Sequence, residues 1–292
     1  MKNSLAGSIV AMVTPFESGA EDIDRVAWQK LVAWHVAAGT NGVVVAGTTG
    51  ESATLDAGER DWLLESALET AAGRCMVIAG TGAASTAVAV AQSRRAAALG
   101  ADAVLVVAPY YNRPPQRGLI AHFSAIADAI DVPVVLYNVP ARTARDIDPE
   151  TALRLAAHDN IVAIKEAVAD MERVQRYAGS GLDVLSGDDP TALDAMRHGA
   201  KGVISVAANI APAAMSRMCR LAAEGAFDAA SAINAQLKPL YGFLGAESNP
   251  IPAKWLLSAS GHIGPDLRLP LVELDESHHA GGRRLLESLE VE

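Results

Sequence analysis

Lys165 follows directly after the apolar run 161–164, which has the composition of a buried β-strand. A lysine at this point projects from the end of a strand, where apolar neighbours favour its uncharged amine. A neutral amine can attack the carbon of a ketone and form a Schiff base. Lys165 therefore predicts covalent carbonyl chemistry. The alternative interpretation is a structural lysine, whose ammonium group pairs with Glu166 or another carboxylate at the rim of a sheet.

Tyr137 ends a second apolar run, 134–136. A phenol whose proton is relayed by other hydroxyls can protonate or deprotonate a carbinolamine without adding a fixed charge. Thr48 and Tyr111 are the candidate partners for that relay. A tyrosine at a strand end is also a common packing residue, so the prediction depends on the combination of these hydroxyls.

Two further features suit the binding of small carboxylates. The segment 47–52, which follows the apolar run 42–46, contains glycines and the hydroxyls of Thr48 and Thr49. Arg142 follows Tyr137 by five residues, and its planar guanidinium can hold a carboxylate with two hydrogen bonds. Each feature alone is equally consistent with an ordinary loop or a surface arginine, so their meaning depends on where the strands place them.

The strands that position these residues belong to a regular alternation of short apolar runs and longer amphipathic segments. Eight continuous apolar runs indicate strands buried on both faces, as in a parallel sheet, at 8–13, 42–46, 76–79, 103–107, 134–137, 161–165, 184–186 and 202–205. Between these strands, apolar residues recur at helical spacing in the segments 24–38, 57–72, 85–99, 118–130, 170–178 and 190–198. The fold class is therefore α/β, a (β/α)8 TIM barrel, with an open doubly wound sheet as the alternative.

The barrel is expected to occupy residues 1–225. After it the strands stop, and helical patterns at 227–244, 250–260 and 276–289 predict a C-terminal helical extension over residues 226–292. In a barrel of this type the carboxyl ends of all strands meet on one rim. We therefore expect Lys165, Tyr137, Thr48 and the segment 187–189 to lie on that rim.

The composition excludes several classes of function. A formal net charge of −10 argues against extended contact with nucleic acid, which needs clustered basic residues. No apolar stretch approaches the roughly 20 residues that span a bilayer, and the start of the chain lacks the pattern of a signal peptide, so a cytoplasmic location is expected. Asp188 and Asp189 have no histidine partner at another strand end, so we expect helix capping there and no metal or cofactor.

These residues occur in a pattern that resembles the dihydrodipicolinate synthase family of pyruvate-dependent lyases and aldolases. The resemblance covers nearly the whole chain, with matching segments at 7–11, 14–16, 47–55, 109–114, 137–143, 164–167, 186–189, 202–209, 249–254 and 267–271. It implies a Schiff-base lyase that condenses pyruvate with L-aspartate 4-semialdehyde in the lysine and diaminopimelate pathway. It also implies a homotetramer built from tight dimers.

The resemblance assigns a role to each candidate residue. Lys165 would form the imine with pyruvate, whose carboxylate Thr48 and Thr49 would bind. Tyr137, Thr48 and Tyr111 would form the proton relay, with Tyr111 reaching into the site of a neighbouring subunit. Arg142 would bind the carboxylate of aspartate semialdehyde. Gly187 and the backbone carbonyl of Ile204 would help to shape the pocket.

Two other functions remain open on the sequence. Aldolases for sialic or sugar acids share the lysine and tyrosine but generally lack an arginine at the position of Arg142, which favours the synthase. A barrel that binds keto acids without turnover is the third possibility, although it has no need to retain all of these side chains.

One group of residues departs from the family pattern. The cleft that binds inhibitory lysine in sensitive relatives is lined by two histidines, an amide and a carboxylate, and this chain has none of them at the corresponding positions Ser52, Ala53, Ala57, Arg60, Ala84, Val88 and Tyr110. A lysine ammonium would have no carboxylate partner there and would be repelled by Arg60. We expect little or no feedback inhibition by lysine.

Overall fold

The fold is a closed barrel of eight parallel strands in sequential order, seen in a computed structural model that describes residues 5–289. The strands are β1 (Gly7–Ala11), β2 (Gly42–Val45), β3 (Met76–Gly80), β4 (Ala103–Val107), β5 (Val134–Asn138), β6 (Ile161–Glu166), β7 (Asp183–Ser186) and β8 (Gly202–Ser205). The first strand pairs in parallel with both the second and the eighth, which closes the sheet. The predicted (β/α)8 barrel is confirmed, and the open sheet is excluded.

Alternation along each strand divides the buried side chains into two cores. One faces the barrel interior and includes Ile9, Val44, Leu105 and Ile204. The other lies between the strands and the helices and contains the intervening residues, such as Val10 on β1. Because both faces of every strand are buried, the strands consist of continuous apolar runs, which is why the sequence revealed them.

Helices follow the strands and form the outer layer. Their bounds are α1 (Arg25–Ala37), α2 (Ala57–Ala71), α3 (Thr86–Leu99), α4 (Gln116–Ala127), α5 (Pro140–Thr143), α6 (Pro149–Leu155), α7 (Met171–Ala178), α8 (Ala192–Arg197) and α9 (Pro212–Ala223). The sequence predictions gave no bounds for α5, α6 or α9, although Asp148 and Pro149 have the pattern of a helix start and α6 begins there. At least α5 is too short, at four residues, to show a helical period.

Three helices form the C-terminal part: α10 (Phe227–Leu244), α11 (Ile251–Ala259) and α12 (Glu276–Ser288). These bounds agree with the predicted segments to within a residue. Gly225, at a φ of 78°, separates α9 from α10 at the predicted boundary. The division into two units remains a prediction, and its outermost residues, 1–4 and 290–292, lie outside the described residues.

A buried ion pair ties the C-terminal helices to the barrel. Lys254 on α11 donates to Glu51, in the loop after β2, at 2.7 Å, and neither side chain is exposed. The backbone N–H of Arg268 donates to the second oxygen of the same carboxylate at 3.0 Å. The extension thereby holds the loop that begins with Thr48 and Thr49. Within residues 5–289 no helix has the length and apolar composition needed to cross a membrane.

Candidate active site

A cavity of about 280 Å³ opens at the carboxyl ends of the strands. Residues from all eight strand ends and from the C-terminal part line it, among them Ala11, Thr48, Thr49, Tyr137, Arg142, Lys165, Gly187, Asp188, Val206 and Asn249. The rim predicted from the sequence is therefore the mouth of a small, partly polar cavity. Its size suits a substrate of a few carbon atoms.

Lys165 lies inside the barrel with only 5% of its surface exposed. It pairs in register with Tyr137 on β5, and its Nζ lies 4.3 Å from the centroid of the Tyr137 ring. Among residues 5–289 no carboxylate approaches this amine within 4.0 Å, and Glu166 points to the opposite face of the strand, where it accepts from Asn138. Pairing with Glu166 is thus excluded, and the amine borders the cavity.

Gly187 leaves room beside the lysine. A Cβ at this position would lie 3.1 Å from Cε of Lys165 and 2.9 Å from Cβ of Ala167. Any side chain would therefore crowd the amine from the neighbouring strand. This steric requirement explains why the residue after β7 is a glycine.

The loop after β2 presents hydroxyls to the cavity and uses its backbone amides internally. The N–H groups of Gly50, Glu51 and Ser52 donate to carbonyls of the same loop, at Gly47 and Thr48. These three amides are therefore already satisfied within the loop and are not free to bind a ligand.

Asn249 connects the C-terminal part to this loop. Its Nδ2 donates to the hydroxyl of Thr49 at 3.0 Å, and its backbone carbonyl accepts from Nη2 of Arg142 at 3.3 Å. Arg142 lies exposed on α5 at the mouth of the cavity and forms no salt bridge with any described residue. Its guanidinium is consequently available to an anionic ligand.

Two predicted site residues do not line the cavity in the single chain. Tyr111 is 93% exposed and has a φ of 71° in the loop after β4. Ile204 is buried in the interior core, and Val206, two residues further along, reaches the cavity instead. The structure therefore brings Lys165 together with Tyr137 and leaves Tyr111 outside this group.

The paired aspartates after β7 have different uses. Asp188 accepts from the N–H and hydroxyl of Thr191, which is itself the N-cap residue of α8, so Asp188 precedes the helix and the expectation that it caps one was wrong. Asp189 does not cap α8, because its buried Oδ2 accepts from the N–H groups of Val206 and Ala207 at 2.9 and 2.8 Å. The expectation that Asp189 caps a helix beginning at Pro190 was wrong. Its carboxylate instead holds the loop after β8, and burial raises its pKa.

Comparison with known proteins places this architecture in a family. The family model for the dihydrodipicolinate synthetases matches residues 4–289. The chain belongs to the dihydrodipicolinate synthetase family. Within residues 5–289 no group of three histidine, cysteine, aspartate or glutamate side chains is arranged to hold a metal ion.

Three relatives illustrate the match to other dihydrodipicolinate synthetases. The 4-hydroxy-tetrahydrodipicolinate synthase of Stenotrophomonas maltophilia is 52% identical over 286 residues, covering 97% of this chain and 95% of the relative. The crystal structure of the chloride-inhibited enzyme from Acinetobacter baumannii, complexed with pyruvate, has 44% identity and a TM-score of 0.96, and the match covers 99% of this chain and 100% of that one. The enzyme from Cyanidioschyzon merolae with lysine bound has 37% identity and a TM-score of 0.94, with 97% of each chain covered.

Asn249 is the cavity residue whose role the sequence did not predict. The segment 249–254 matched the dihydrodipicolinate synthetase pattern, but nothing near it in the sequence indicated a site. Its contact with Thr49 joins positions 200 residues apart. The available signal was an amide side chain at the start of a matching segment whose other residues, apart from Lys254, are apolar.

Proposed function

We propose that this protein condenses pyruvate with L-aspartate 4-semialdehyde through a Schiff base on Lys165 and forms 4-hydroxy-tetrahydrodipicolinate for lysine and diaminopimelate synthesis. The observation that carries this proposal is a buried lysine amine that borders a small cavity beside a phenol, with no carboxylate partner among the described residues. Relatives with about half of their residues identical have the name of this synthase.

The first half of the reaction is imine formation. Nζ of Lys165 attacks C2 of pyruvate, and the resulting carbinolamine loses water to give a protonated imine. Tyr137, whose ring lies against the amine, supplies and removes protons, with Thr48 as its relay partner. Thr48 and Thr49 bind the pyruvate carboxylate, and the bond from Asn249 orients the Thr49 hydroxyl.

The second half forms a carbon–carbon bond. Loss of a proton from the pyruvate methyl group gives an enamine, which adds to the aldehyde carbon of aspartate semialdehyde. Arg142 binds the carboxylate of this second substrate at the mouth of the cavity. The substrate amino group then attacks the imine carbon, which closes the ring and releases Lys165 as a free amine.

The remaining expectations follow from the same assignment. Tyr111 is proposed to complete the relay in a neighbouring subunit of a homotetramer, which accounts for a tyrosine that is 93% exposed in the single chain. Ile204 would contribute through its backbone carbonyl at the end of β8. We infer a cytoplasmic location from the biosynthetic role.

The proposal is tested by trapping the imine. The protein is incubated with pyruvate and borohydride, and mass spectrometry is expected to find one reduced pyruvate adduct per chain, located at Lys165. A coupled reductase assay with aspartate semialdehyde is expected to show turnover. An adduct without turnover in that assay would favour a sugar-acid aldolase, for which cleavage of sialic or keto-deoxy acids is the next assay.

Arg142→Gln separates the two halves of the reaction. Because Arg142 is assigned to the second substrate, its loss is expected to reduce turnover of aspartate semialdehyde by at least about a hundredfold and to change the rate of adduct formation by less than about threefold. Arg117→Gln, a change of the same type on α4, is the control and is expected to match the wild type. Equal damage to both steps in Arg142→Gln would show that Arg142 has another role.

A further inference from the structure

On the outer face of the barrel, Asn138 and Glu166 form a side-chain pair at the ends of β5 and β6. We infer that this Asn138–Glu166 pair positions Lys165 and Tyr137 for imine formation, and that it does so when Glu166 is ionised. The inference rests on the roles proposed above for Lys165 and Tyr137. Neither member of the pair lines the cavity, so both are positioning residues and not catalytic ones.

Strand register places the pair directly beside the reactive residues. Tyr137 is opposite Lys165, and Asn138 is opposite Glu166 at the next position. Because side chains alternate along a strand, the first two face the barrel interior and the other two face the helices. Asn138 and Glu166 are 0% and 3% exposed. Each reactive side chain is therefore one residue away from a member of the pair.

Hydrogen bonds use every polar atom of the Asn138 side chain. Its Nδ2 donates to the two carboxylate oxygens of Glu166 at 2.9 and 3.1 Å and to Oδ1 of Asp146 at 2.7 Å. Its Oδ1 accepts from the backbone N–H of Ile147 at 2.9 Å, and this bond fixes the orientation of the amide. A buried amide with all of its partners in place is held in one position.

The pair also fixes the backbone where two segments of the cavity wall begin. Oε1 of Glu166 accepts from the N–H of Val168 at 2.9 Å, and the N–H of Ala167 donates to the carbonyl of Asn138 at 3.0 Å. The N–H of Gly187 donates to the carbonyl of Glu166 at 2.7 Å. Ala167 and Gly187 both line the cavity, so movement of the pair moves the wall on both sides of the reactive amine.

Glu166 shares one cation, Arg173, with two other carboxylates, those of Asp146 and Asp170. Arg173 on α7 binds Asp146 through both terminal nitrogens, and its Nη1 lies 3.7 Å from Oε2 of Glu166. Asp170 lies 3.6 Å from Nε of the same arginine, and the buried hydroxyl of Tyr177 on α7 has no hydrogen-bond partner among the described residues. Burial raises the pKa of Glu166 to about 7, so its charge changes near neutral pH.

Protonation of Glu166 weakens the pair. It converts one of the two oxygens that accept from Asn138 into a hydroxyl and removes the negative charge that strengthens these bonds. The ends of β5 and β6 are then held less firmly. A displacement of about 1 Å between reacting groups can lower a rate by about a hundredfold. Imine formation is therefore fastest at pH values where Glu166 is ionised.

Glu166→Gln tests this inference, because glutamine keeps the shape of the side chain and has no charge at any pH. The measurement is the single-turnover rate of borohydride-trapped adduct formation with pyruvate, in the full-length protein, from about pH 5 to about pH 9. We expect a fall of about tenfold to a hundredfold at high pH, with less than about a threefold change in the pyruvate concentration that gives half the maximum rate. The part of the wild-type profile that titrates near pH 7 is expected to disappear.

Two further variants control for a general structural effect. Glu150→Gln makes the same change in an exposed carboxylate on α6, which pairs with Arg176 at 2.7 Å, and is expected to leave the rate and its pH profile unchanged. Asn138→Asp places a carboxylate against Glu166 and slows adduct formation. Combining it with Glu166→Gln restores part of the rate, because the glutamine amide can donate to the new carboxylate.

A wild-type rate and pH profile in Glu166→Gln would overturn the inference. A crystal structure of the same variant gives a readout that does not depend on the reaction: a slower variant that still has Nζ of Lys165 4.3 Å from the Tyr137 ring also overturns it. If the wild-type protein forms no adduct, the proposed function fails, and the displacement of Lys165 in that crystal structure decides the positioning inference by itself.

Discussion

Two buried lysines in this protein share one feature and differ in another. Lys165 and Lys254 each place Nζ 4.3 Å from the centroid of an aromatic ring, that of Tyr137 and that of Phe16 respectively. Lys254 also binds Glu51 at 2.7 Å in a pair with no exposed side-chain surface. Lys165 has no such carboxylate among residues 5–289, and its amine borders a cavity.

Burial is therefore common to both lysines and cannot be the reason why only Lys165 is proposed as the nucleophile. Burial lowers the pKa of Lys254, and the attraction of Glu51 opposes that effect. The ammonium group of Lys254 binds Glu51 and thereby joins α11 to the loop after β2. Lys165 is also buried, but it has no carboxylate partner among the described residues and it borders a cavity, and these two features support its proposed role as the nucleophile.

The largest expected effect in this comparison comes from Lys165→Met. Without the amine no Schiff base can form, so we expect activity to fall by at least about a thousandfold and adduct formation to be lost. Stability is expected to be unchanged or slightly higher, because the variant replaces a buried polar group that has no carboxylate partner by an apolar side chain. The coupled assay and thermal unfolding check both results. A marked loss of stability would contradict the comparison.

Lys254→Met is expected to have the opposite effect. It leaves Glu51 buried without its partner, so we expect a loss of about 3–5 kcal/mol in the free energy of unfolding, measured with denaturant. Adding Glu51→Gln removes the uncompensated charge and keeps an acceptor for the N–H of Arg268, so the double variant regains part of this loss. A double variant no more stable than Lys254→Met would mean that packing, not charge, explains the loss.

Glu166 is a third buried ionisable group, and Arg173, which also binds Asp146, neutralises its charge only in part. Its folded-state pKa of about 7 lies above the ordinary value of 4.5, so the folded protein binds this proton more tightly than the unfolded chain does. The resulting stability is present below pH 4.5 and is lost as the pH rises through 7, by about 3 kcal/mol in total. The wild type should lose stability relative to Glu166→Gln as the pH is raised from about 5 to about 8. Parallel stability curves would contradict this titration.

Asn249→Ala tests the second link between the C-terminal part and the barrel. It removes the bond to the Thr49 hydroxyl, worth about 1 kcal/mol, and leaves the backbone carbonyl that accepts from Arg142. We expect the KM for pyruvate to rise about fivefold with little change in melting temperature. Asn234→Ala, which removes a bond to Tyr241 on α10, is the matched control and should leave KM unchanged.

The smallest expected effect is that of added lysine. The guanidinium of Arg60 donates to the carbonyls of Ser52, Leu55 and Gly80 and has no carboxylate partner among the described residues. A lysine ammonium beside it would be repelled and would have no compensating anion. We expect turnover to be unchanged at low millimolar lysine in the coupled assay. Strong inhibition at that concentration would show that another site binds the effector.

The strands could be predicted because their causes are local. Each is a run of apolar residues buried on both faces, and the observed bounds differ from the predicted ones by a residue or two. Helix α5 was missed because four residues show no period, whereas α9 (Pro212–Ala223) was missed although its buried residues recur at helical spacing. Local sequence therefore defined the barrel better than it defined the helices near the site.

The site itself was predicted only in part. Lys165, Tyr137, Thr48 and Arg142 could be found because they lie at or just after strand ends, and parallel strands bring those ends together. Asn249 could not be found, because its partner Thr49 lies 200 residues away. The same limitation explains the wrong expectation for Asp189, whose partners lie 17 and 18 residues further along the chain.

The sequence by itself determined the alternation of strands and helices and the chemical groups at the strand ends, because both depend on neighbouring residues. Only the tertiary structure decided which buried lysine is neutralised and which is left available. Glu51 and Lys254 are separated by 203 residues. Partners that distant meet only when the barrel closes and the C-terminal helices pack against it, so no local pattern could show that Lys254 has a carboxylate partner and that Lys165 has none.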